Sequence, residues 1–265
     1  MPIQKAYLAL LVSLSLCYLL SFRKRIKYCG DKWSQREICG LGGIGIFVGV
    51  FLFSNDSLVL WGGLLFSLGL IDDIFDLKAK TKLFCQVLIV MFFIPSFRLD
   101  WFGNRFVDLA ITFVWLLLIT NSFNLLDNMD GLAGGIAVII LVFFLYTTSS
   151  ALGFVLLGAI FGFFFLNFPP ARIYMGDSGS LFTGFMLAAL VGHKNGLSFS
   201  ILLFLVPLTD TVFVIVRRFL DGKSIFKGGT DHLSHTLVKQ FGFTEREAIL
   251  ILYLLSLSGV MGVLI

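Results

Sequence analysis

The sequence predicts an all-α, polytopic membrane protein of about ten transmembrane helices, organised as a single domain over residues 1–265. Apolar residues make up 58% of the chain and charged residues only 14%, whereas soluble domains carry about 25% charged residues. The apolar residues form ten runs, several of them close to the ~20 residues that a spanning helix needs. This composition excludes an ordinary hydrated surface, and a net charge of +4 without a basic patch excludes a nucleic-acid binder.

Polar residues divide the ten apolar runs. The first run is interpreted as an uncleaved span, because its positive charges follow the apolar stretch, whereas a signal peptide carries them before it. The second and third runs are the least well separated, since only residues 54–57 lie between them. The runs are 6–22, 38–54, 57–71, 82–97, 107–126, 132–148, 151–168, 180–192, 198–217 and 247–265. Thr244 and Glu247 form a capping box that starts the last helix.

The basic residues predict the orientation of these spans. With ten spans, five loops share one face, and these loops together with Arg217 hold 16 of the 20 Lys and Arg residues. The positive-inside rule then places these loops in the cytoplasm and both termini outside. The five loops are 23–37, 72–82, 127–131, 167–179 and 218–246.

Carboxylates collect in the same cytoplasmic loops. A helix that continued through the third run would put Asp72 and Asp76 on one face. Close carboxylates followed by lysines suit a Mg²⁺–diphosphate site, because oxygen ligands bind the metal and ammonium groups bind phosphate oxygens. A solvated loop would explain any single motif, and it is the default interpretation for Asp76. The acidic residues concerned are Asp72, Asp73, Asp76, Asp127, Asp130, Asp177 and Asp231, and the lysines are Lys78, Lys80 and Lys82.

Two other cytoplasmic motifs carry more than one interpretation. The glycine-rich stretch 40–45 is typical of close helix packing in membranes. His232 and His235 are spaced at i and i+3, and phosphate hydrogen bonding is the preferred functional interpretation over a metal pair. A pair of ordinary loop histidines stays open as an alternative. The four cysteines show no metal-binding spacing and are interpreted as free thiols.

Asp210 lies inside the ninth apolar run. An ionisable residue within a span is a candidate functional residue, and the competing interpretation is a partner for the backbone groups that Pro207 frees. Arg217 and Arg218, at the end of the same run, are interpreted as positive-inside anchors.

Four motifs occur in order: D-D-x-x-D at 72–76, N-x-x-N-x-x-D-N-x-D-G at 121–131, P-A-R-x-x-M-G-D-S-G-S at 170–180 and D-H-x-x-H at 231–235. As an ordered set they resemble those of the polyprenyl-phosphate N-acetylhexosamine-1-phosphate transferases, the superfamily that includes phospho-N-acetylmuramoyl-pentapeptide translocase. The resemblance covers about residues 36–247. It implies a ten-helix protein of the bacterial cytoplasmic (inner) membrane, with its active site facing the cytoplasm.

The resemblance also implies a reaction. A UDP-amino sugar donates sugar-1-phosphate to a polyprenyl phosphate, usually undecaprenyl phosphate, which releases UMP and starts a lipid-linked cell-envelope glycan. The expected cofactor is Mg²⁺, with Mn²⁺ as an alternative. Asp177 corresponds to the metal ligand, and Asp72 and Asp73 correspond to the catalytic pair. The candidate substrate-binding residues are Asn124, Asp127, Asp130, Asn167, Tyr174, His232 and His235, together with Lys82 from the basic run.

Details of the motifs favour the N-acetylhexosamine branch of the superfamily. Ser234 lies between the two histidines, so the triple-histidine run of the translocase is absent, and residues 126–130 look more like that branch. We therefore expect UDP-GlcNAc or a related N-acetylated sugar as the donor. One-step and two-step chemistry both stay open, as does a homodimeric assembly.

Two other classes of protein stand as alternatives. An intramembrane prenyltransferase binds Mg²⁺ through two aspartate-rich motifs, which would explain residues 72–76 and 127–130 but neither 175–179 nor the histidines. An ion-coupled transporter would place its carboxylates near the bilayer midplane on broken helices. The carboxylates here gather at the cytoplasmic face instead. Asp210, which lies inside an apolar run, is the one carboxylate that would suit a transporter.

Overall fold

The computed structural model describes residues 1–22, 38–224 and 229–264, and all of its regular structure over these residues is helical. Each of the ten predicted apolar runs contains helix. The basic loop 23–37 of the predicted cytoplasmic face lies outside the described residues. The helices are α1 (Pro2–Ser21), α2 (Gly42–Phe53), α3 (Ser57–Phe75), α4 (Ala79–Phe93), a short 3-10 helix (Ile94–Ser96), α5 (Arg105–Leu126), α6 (Leu132–Thr147), α7 (Ala151–Asn167), α8 (Gly176–Lys194), α9 (Leu197–Leu203), α10 (Leu205–Leu220), α11 (Leu233–Phe241) and α12 (Glu245–Leu264).

Large apolar side chains cover much of the outside of the helices. Phe106, Phe219 and Tyr146 are each more than three-quarters exposed, an arrangement that suits hydrocarbon rather than water. Among the described residues, four helices are long and apolar enough to cross a membrane: α1, α3, α4 with its 3-10 extension, and α5. The bent pair α9–α10 makes a fifth if it counts as one span, and α2, α6 and α7 are shorter apolar helices. The all-helical fold with several apolar helices fits a membrane protein.

The core is built around α8, which is buried along almost its whole length from Ser178 to Gly192. Helices α3, α5 and α2 pack around it. Small residues allow the closest approaches, as the glycines of α7 illustrate. A Cβ on Gly158 would lie 2.1 Å from the carbonyl oxygen of Ala6 in α1. Close packing of this kind holds the helix ends in fixed positions, and the polar side chains at those ends depend on it.

The structure corrects three boundaries. Helix α8 begins at Gly176 rather than near Ser180, so Asp177 lies in its first turn. The ninth run is broken at Phe204, and α9 and α10 meet at an angle of 74°. Pro207 explains this break, because proline lacks an N–H and its ring clashes with the carbonyl four residues earlier.

The third correction concerns the loop 218–246, which contains the unpredicted helix α11. At nine residues, α11 is too short to give an apolar run. The predicted capping box at the start of α12 is confirmed. The Thr244 amide donates to Glu247 Oε2 over 2.8 Å, and the Glu247 amide donates to Thr244 Oγ1 over 3.3 Å.

Candidate active site

The ends of four helices meet at one end of the bundle, and each supplies a polar side chain. Asp72 lies in the last turn of α3, Lys82 in the first turns of α4, Asn124 near the end of α5, and Asp177 in the first turn of α8. These residues are far apart in the sequence and come together because successive helices run in opposite directions. We call them, together with Asp73 and Asp127, the acidic cluster.

Lys82 is the cation at the centre of the acidic cluster. Its Nζ lies 2.7 Å from Asp72 Oδ2 and 3.1 Å from Asp177 Oδ1. The other oxygen of Asp72 accepts a 2.7 Å hydrogen bond from the amide of Leu77. Asn124 donates one hydrogen bond to Asp177 Oδ1 and another to Ser180 Oγ, the latter over 2.9 Å. Lys82 and Asn124 therefore orient Asp177, which keeps about 29% of its side chain exposed.

Asp73 has surroundings quite different from those of its neighbour Asp72. Its two oxygens accept hydrogen bonds from the amides of Asp177 and Ser178, over 2.7 and 3.0 Å. These amides are at the start of α8, where N–H groups lack helical partners and the helix dipole favours negative charge. In this structure Asp73 therefore fixes the start of α8, and with it the position of Asp177.

Glycines permit this contact between α3 and α8. A Cβ on Gly69, one turn before Asp73, would lie 2.4 Å from the carbonyl oxygen of Asp177. Gly176 has a φ of +75°, and a Cβ there would lie 2.1 Å from the carbonyl oxygen of Gly40. Only glycine meets both the conformational and the steric demand at this turn.

Asp127 adds a carboxylate at the C-cap of α5. Its Oδ2 atom is buried and has no hydrogen-bond partner among the described residues. The pKa of Asp127 is raised to about 8, mainly by burial and also by the nearby carboxylates of Asp177 and Asp73, whereas the hydrogen bond from the Gly176 amide opposes the shift. Asp127 thus lies in an excess of negative charge that a bound cation would relieve.

Asp130 and Asn167 lie beneath the acidic cluster and join two loops. Asp130 Oδ2 accepts a 2.8 Å hydrogen bond from the amide of Ala171. Asn167 accepts from the Gly131 amide over 3.0 Å and donates to the Ile173 carbonyl over 2.9 Å. Both side chains are buried. Their observed contacts hold the turn 127–131 against the loop 168–175.

Tyr174 lies in the same framework, in a loop whose backbone is hydrogen-bonded to residues 39–43. Its amide donates to the carbonyl of Cys39, and its carbonyl accepts from the amide of Gly42, each over 2.9 Å. Gly43 packs against α8, where an added Cβ would lie 2.3 Å from the amide nitrogen of Gly179. Close packing thus accounts for the glycines of the 40–45 stretch that the structure places here.

The histidine pair lies at the start of α11, to one side of the acidic cluster. Both rings are buried, and their centroids are 5.4 Å apart. Ser234 Oγ donates a 2.7 Å hydrogen bond to Asn128 Oδ1, which joins α11 to the turn next to Asp127. The pKa of His235 is lowered to about 4, mainly by burial and also by the nearby His232 and Lys239.

Arg217 and Arg218, predicted as positive-inside anchors, also make specific contacts within the protein. Arg218 is buried and pairs with Asp231 over 2.8 Å. This pairing lowers the pKa of Asp231, chiefly through the hydrogen bond from Arg218. Arg217 donates a 3.0 Å hydrogen bond to Thr236 Oγ1. Both arginines therefore attach the α11 segment to α10.

The acidic cluster suits a hard divalent cation. Its oxygen donors come from carboxylates and an amide, Lys82 already lies between two of the carboxylates, and Asp127 Oδ2 has no described partner. Within the described residues, no group of three or more His, Cys, Asp or Glu side chains is arranged to hold a metal ion by itself. Mg²⁺ usually needs only one or two protein carboxylates, because water and substrate phosphates complete its shell.

Sequence reasoning missed two contributors to this region. Ser180 receives a hydrogen bond from Asn124, and its place three residues after Asp177 in the first turns of α8 was the available signal. Gln86 receives a 2.7 Å hydrogen bond from Asn121, which connects α4 to α5. The motif 121–131 marked Asn121, but no sequence pattern marked Gln86.

The fold and the site together define a class: a helical membrane protein whose helix ends hold a cluster of carboxylates around a lysine. The chain belongs to glycosyl transferase family 4, whose family model matches residues 57–193. That range includes α3 to α7 and nearly all of α8, and therefore the whole acidic cluster.

Similar proteins support the same family. The probable undecaprenyl-phosphate N-acetylglucosaminyl 1-phosphate transferase of Bacillus subtilis (strain 168) is 32% identical over 81% of this chain and 69% of its own length. The undecaprenyl-phosphate alpha-N-acetylglucosaminyl 1-phosphate transferase of Thermotoga maritima is 31% identical over 82% of this chain and 73% of its own. The decaprenyl-phosphate N-acetylglucosaminephosphotransferase of Mycolicibacterium smegmatis is 31% identical over 81% and 68%.

Proposed function

We propose that this protein transfers N-acetylhexosamine-1-phosphate, with GlcNAc-1-phosphate as the first candidate, from a UDP-sugar to undecaprenyl or another polyprenyl phosphate. The observation that carries the proposal is the acidic cluster with Lys82 between Asp72 and Asp177. It occurs in a chain whose relatives are named as GlcNAc-1-phosphate transferases of polyprenyl phosphates. The prenyltransferase and transporter alternatives gain no such support.

In this reaction an oxygen of the lipid phosphate bonds to the β-phosphorus of the UDP-sugar. The bond from that phosphorus to the bridging oxygen breaks, so UMP leaves and a new diphosphate joins sugar and lipid. Lys82 is placed to exchange a carboxylate for a phosphate oxygen and to neutralise charge on the diphosphate. Asp72, which keeps one oxygen on the Leu77 amide, would take the proton of the lipid phosphate at its Oδ2.

Asp177 and the amide oxygen of Asn124, which now faces Lys82, would hold a Mg²⁺ or Mn²⁺ ion together with the unpartnered oxygen of Asp127. A bound divalent cation supplies neutralisation of the phosphate oxygens, which is most of what phosphoryl transfer requires. Asp73 contributes by holding the first turn of α8, so that Asp177 faces the cluster rather than the bilayer.

We place this site at the cytoplasmic face of the bacterial inner membrane, with ten crossings and both termini outside. The alternation of helix ends supports this topology. The cluster and its framework use the C-terminal ends of α3, α5 and α7 and the N-terminal ends of α4, α6 and α8. Such alternation is expected if each helix crosses once. By sequence, most of the Lys and Arg residues fall in the loops that connect helices at the end where the acidic cluster lies, which is the end that the positive-inside rule assigns to the cytoplasm.

The test uses purified protein in detergent with undecaprenyl phosphate, Mg²⁺ and UDP-GlcNAc labelled in the sugar. We expect label in the lipid, release of UMP, and no transfer without a divalent cation. Asp177→Asn should lower transfer by about 100-fold or more, because one charge of the cluster is lost. Asp76→Asn is the matched control and should stay within about twofold, since Asp76 is exposed and its left-handed φ of 53° suits Asn.

Other outcomes would separate the alternatives. Transfer from a different UDP-sugar, with none from UDP-GlcNAc, would change the donor but keep the reaction. Label arriving from a prenyl diphosphate would support the prenyltransferase. Folded protein that transfers no sugar phosphate from any UDP-sugar, but carries ions across liposomes, would overturn the proposal in favour of a transporter.

A further inference from the structure

Asp210 is a buried carboxylate whose two oxygens both bind the start of α11. Its Oδ1 accepts a 2.7 Å hydrogen bond from the amide of Leu233, the first residue of α11. Its Oδ2 lies 2.8 Å from Nδ1 of His232. Side chains of both residues are about 95% buried. The interpretation of Asp210 as a partner for backbone groups near Pro207 is therefore wrong, because its partners belong to a different helix.

This arrangement determines which nitrogen of His232 carries hydrogen. A carboxylate only accepts hydrogen bonds, so the ring nitrogen that faces it, Nδ1, must be the donor. The other nitrogen, Nε2, is then the one left to interact with a ligand, as an acceptor in the neutral ring or a donor in the charged one. A carboxylate behind a histidine fixes both the tautomer and the rotation of the ring in this way.

Docking of α11 does not by itself require the contact between Asp210 and the ring. Three other links attach this segment: Arg218 to Asp231, Arg217 to Thr236, and Ser234 to Asn128. The amide of Leu233 needs only one oxygen of Asp210. Burying a whole carboxylate is costly, so the second oxygen is best explained by the ring that it orients.

We propose that Asp210 is a positioning residue for the transfer reaction: it holds His232 with Nδ1–H on the carboxylate and so presents Nε2 to the diphosphate of the donor. The proposal rests on the function proposed above, in which His232 contacts that diphosphate. The link from Ser234 to Asn128 brings the ring to the side of the turn that carries Asp127. Asp210 itself touches no substrate and acts through His232.

Asp210→Asn is the informative substitution because it should reverse the tautomer and still fold. The single amide oxygen of Asn would remain on the Leu233 amide, which can only donate. The amide nitrogen of Asn would then face Nδ1 as a donor, and Nδ1 would have to become the acceptor. An Asp→Asn change behind a catalytic histidine acts by this mechanism in serine proteases. The start of α11 keeps its hydrogen bond.

A double-mutant cycle tests whether Asp210 acts through the ring. We expect Asp210→Asn and His232→Ala each to lower kcat by about 100-fold with a smaller effect on KM. The double variant should be no more than about twofold below His232→Ala alone, because the residue through which Asp210 acts is already gone. Equal losses from Asp210→Asn in both backgrounds would overturn the proposal.

Asp108→Asn is the matched control. Asp108 is buried in the first turn of α5, at the opposite end of that helix from Asn124, and it accepts hydrogen bonds from the amides of Trp101 and Phe102 over 3.2 and 2.9 Å. It thus resembles Asp210 in burial and in binding backbone amides, but no histidine faces it. The transfer activity of Asp108→Asn per folded molecule should stay within about twofold of wild type. If Asp108→Asn lost as much activity as Asp210→Asn, the effect of Asp210→Asn would be explained by general destabilisation of the fold.

A spectroscopic measurement tests the geometry without relying on activity. The chain has three histidines, so ¹⁵N labelling of histidine rings gives a spectrum that can be assigned by single substitutions. Asp210→Asn should move the ring nitrogens of His232 by the large shift that accompanies a change of tautomer or charge, and leave exposed His193 unchanged. An unchanged His232 would overturn the proposal. Wild-type protein that is inactive but gives the expected spectra would instead count against the proposed function.

Discussion

Lys82 controls the electrostatics of the acidic cluster. Its ammonium group contacts Asp72 and Asp177, and its side chain is only 16% exposed. The sequence predicted Lys82 as a phosphate ligand from its place after the D-D-x-x-D motif, but it could not show that two carboxylates occupy it first. A substrate phosphate must therefore compete with these carboxylates, and a divalent cation that takes over Asp177 would favour the exchange.

Burial of His235 should make the stability of the protein depend on pH. Its pKa is lowered to about 4 in the folded protein, mainly by burial, against an ordinary value of 6.5. Between these two values the unfolded chain binds a proton at this residue that the folded chain does not, so the contribution of His235 to stability rises with pH in this window and is lost as pH falls from about 6.5 towards 4. The raised pKa of Asp127 acts in the opposite direction, so the contribution of His235 is measured as a difference. Thermal unfolding in detergent across this range should show a smaller rise of stability with pH, or a steeper fall, in His235→Gln than in wild type.

The control for this measurement is His193→Gln, because His193 is exposed at the far end of α8. It should leave the pH dependence unchanged. The contributing charges near His235 are His232 and Lys239, which disfavour its protonation, and Asp210, which favours it. Equal slopes for wild type and His235→Gln would show that acid sensitivity arises elsewhere.

At the scale of single residues, the sequence identified the right residue types but not their partners. Asp72 and Asp73 are adjacent and read alike, yet one faces Lys82 and the other faces the amides of α8. Asp210 was marked by its position inside an apolar run, but its partner His232 follows 22 residues later. Such pairings depend on how helices pack, and no local pattern encodes them.

The contact between α3 and α8 is the element on which the acidic cluster depends. At Gly69 a Cβ would lie 2.4 Å from the Asp177 carbonyl oxygen and 2.5 Å from Ser178 Cα. Gly69→Ala should therefore push the two helices apart, separate Asp73 from the start of α8, and lower activity by about tenfold or more. The measurement is transfer activity per folded molecule beside the unfolding temperature.

Gly63→Ala in the same helix is the matched control. A Cβ there meets only the ring of Phe47, at 3.3 Å and beyond, and that side chain can move aside. Alanine also favours helix over glycine by about 1 kcal/mol. This variant should keep both activity and stability. Full activity in Gly69→Ala would show that the close approach of α3 and α8 does not position the site.

At the scale of elements, the apolar runs predicted the long helices well because a helix that crosses a bilayer needs a long apolar stretch. It failed where other forces decide. The start of α8 at Gly176 depends on Asp73, a cap supplied from another helix. Helix α11 depends on contacts from α10. The break at Phe204 depends on Pro207, and an apolar run alone does not show how far this proline changes the direction of the helix.

At the scale of the whole molecule, the order of motifs predicted the site better than any one motif did. The first three motifs lie at the ends of predicted apolar runs, whereas D-H-x-x-H lies within the loop 218–246, and alternate ends of successive helices meet on one side of the bundle. The sequence therefore placed Asp72, Asn124 and Asp177 together through topology alone. It could not separate side chains that face the cluster from those that tie loops beneath it, such as Asp130 and Asn167.

The proposed topology places the two ends of the bent pair α9–α10 on opposite sides of the membrane, which cysteine labelling in cells can test. Gly196 lies in the short exposed connection between α8 and α9, and nothing comes within 4 Å of a Cβ there. Lys223 follows α10 and is exposed, and its surface ion pair with Asp221 contributes little to stability. A membrane-impermeant maleimide should label Gly196→Cys in intact cells, above the background of the native cysteines.

Lys223→Cys should react only after the membrane is permeabilised, because the bent pair α9–α10 is expected to cross the bilayer between the two positions. The reverse pattern would place the acidic cluster outside the cell, where nucleotide sugars made in the cytoplasm would not reach it. Labelling of both positions in intact cells would mean that α9–α10 turns back without crossing. The number of spans would then differ by one, and the positive-inside argument that orients the site would no longer hold.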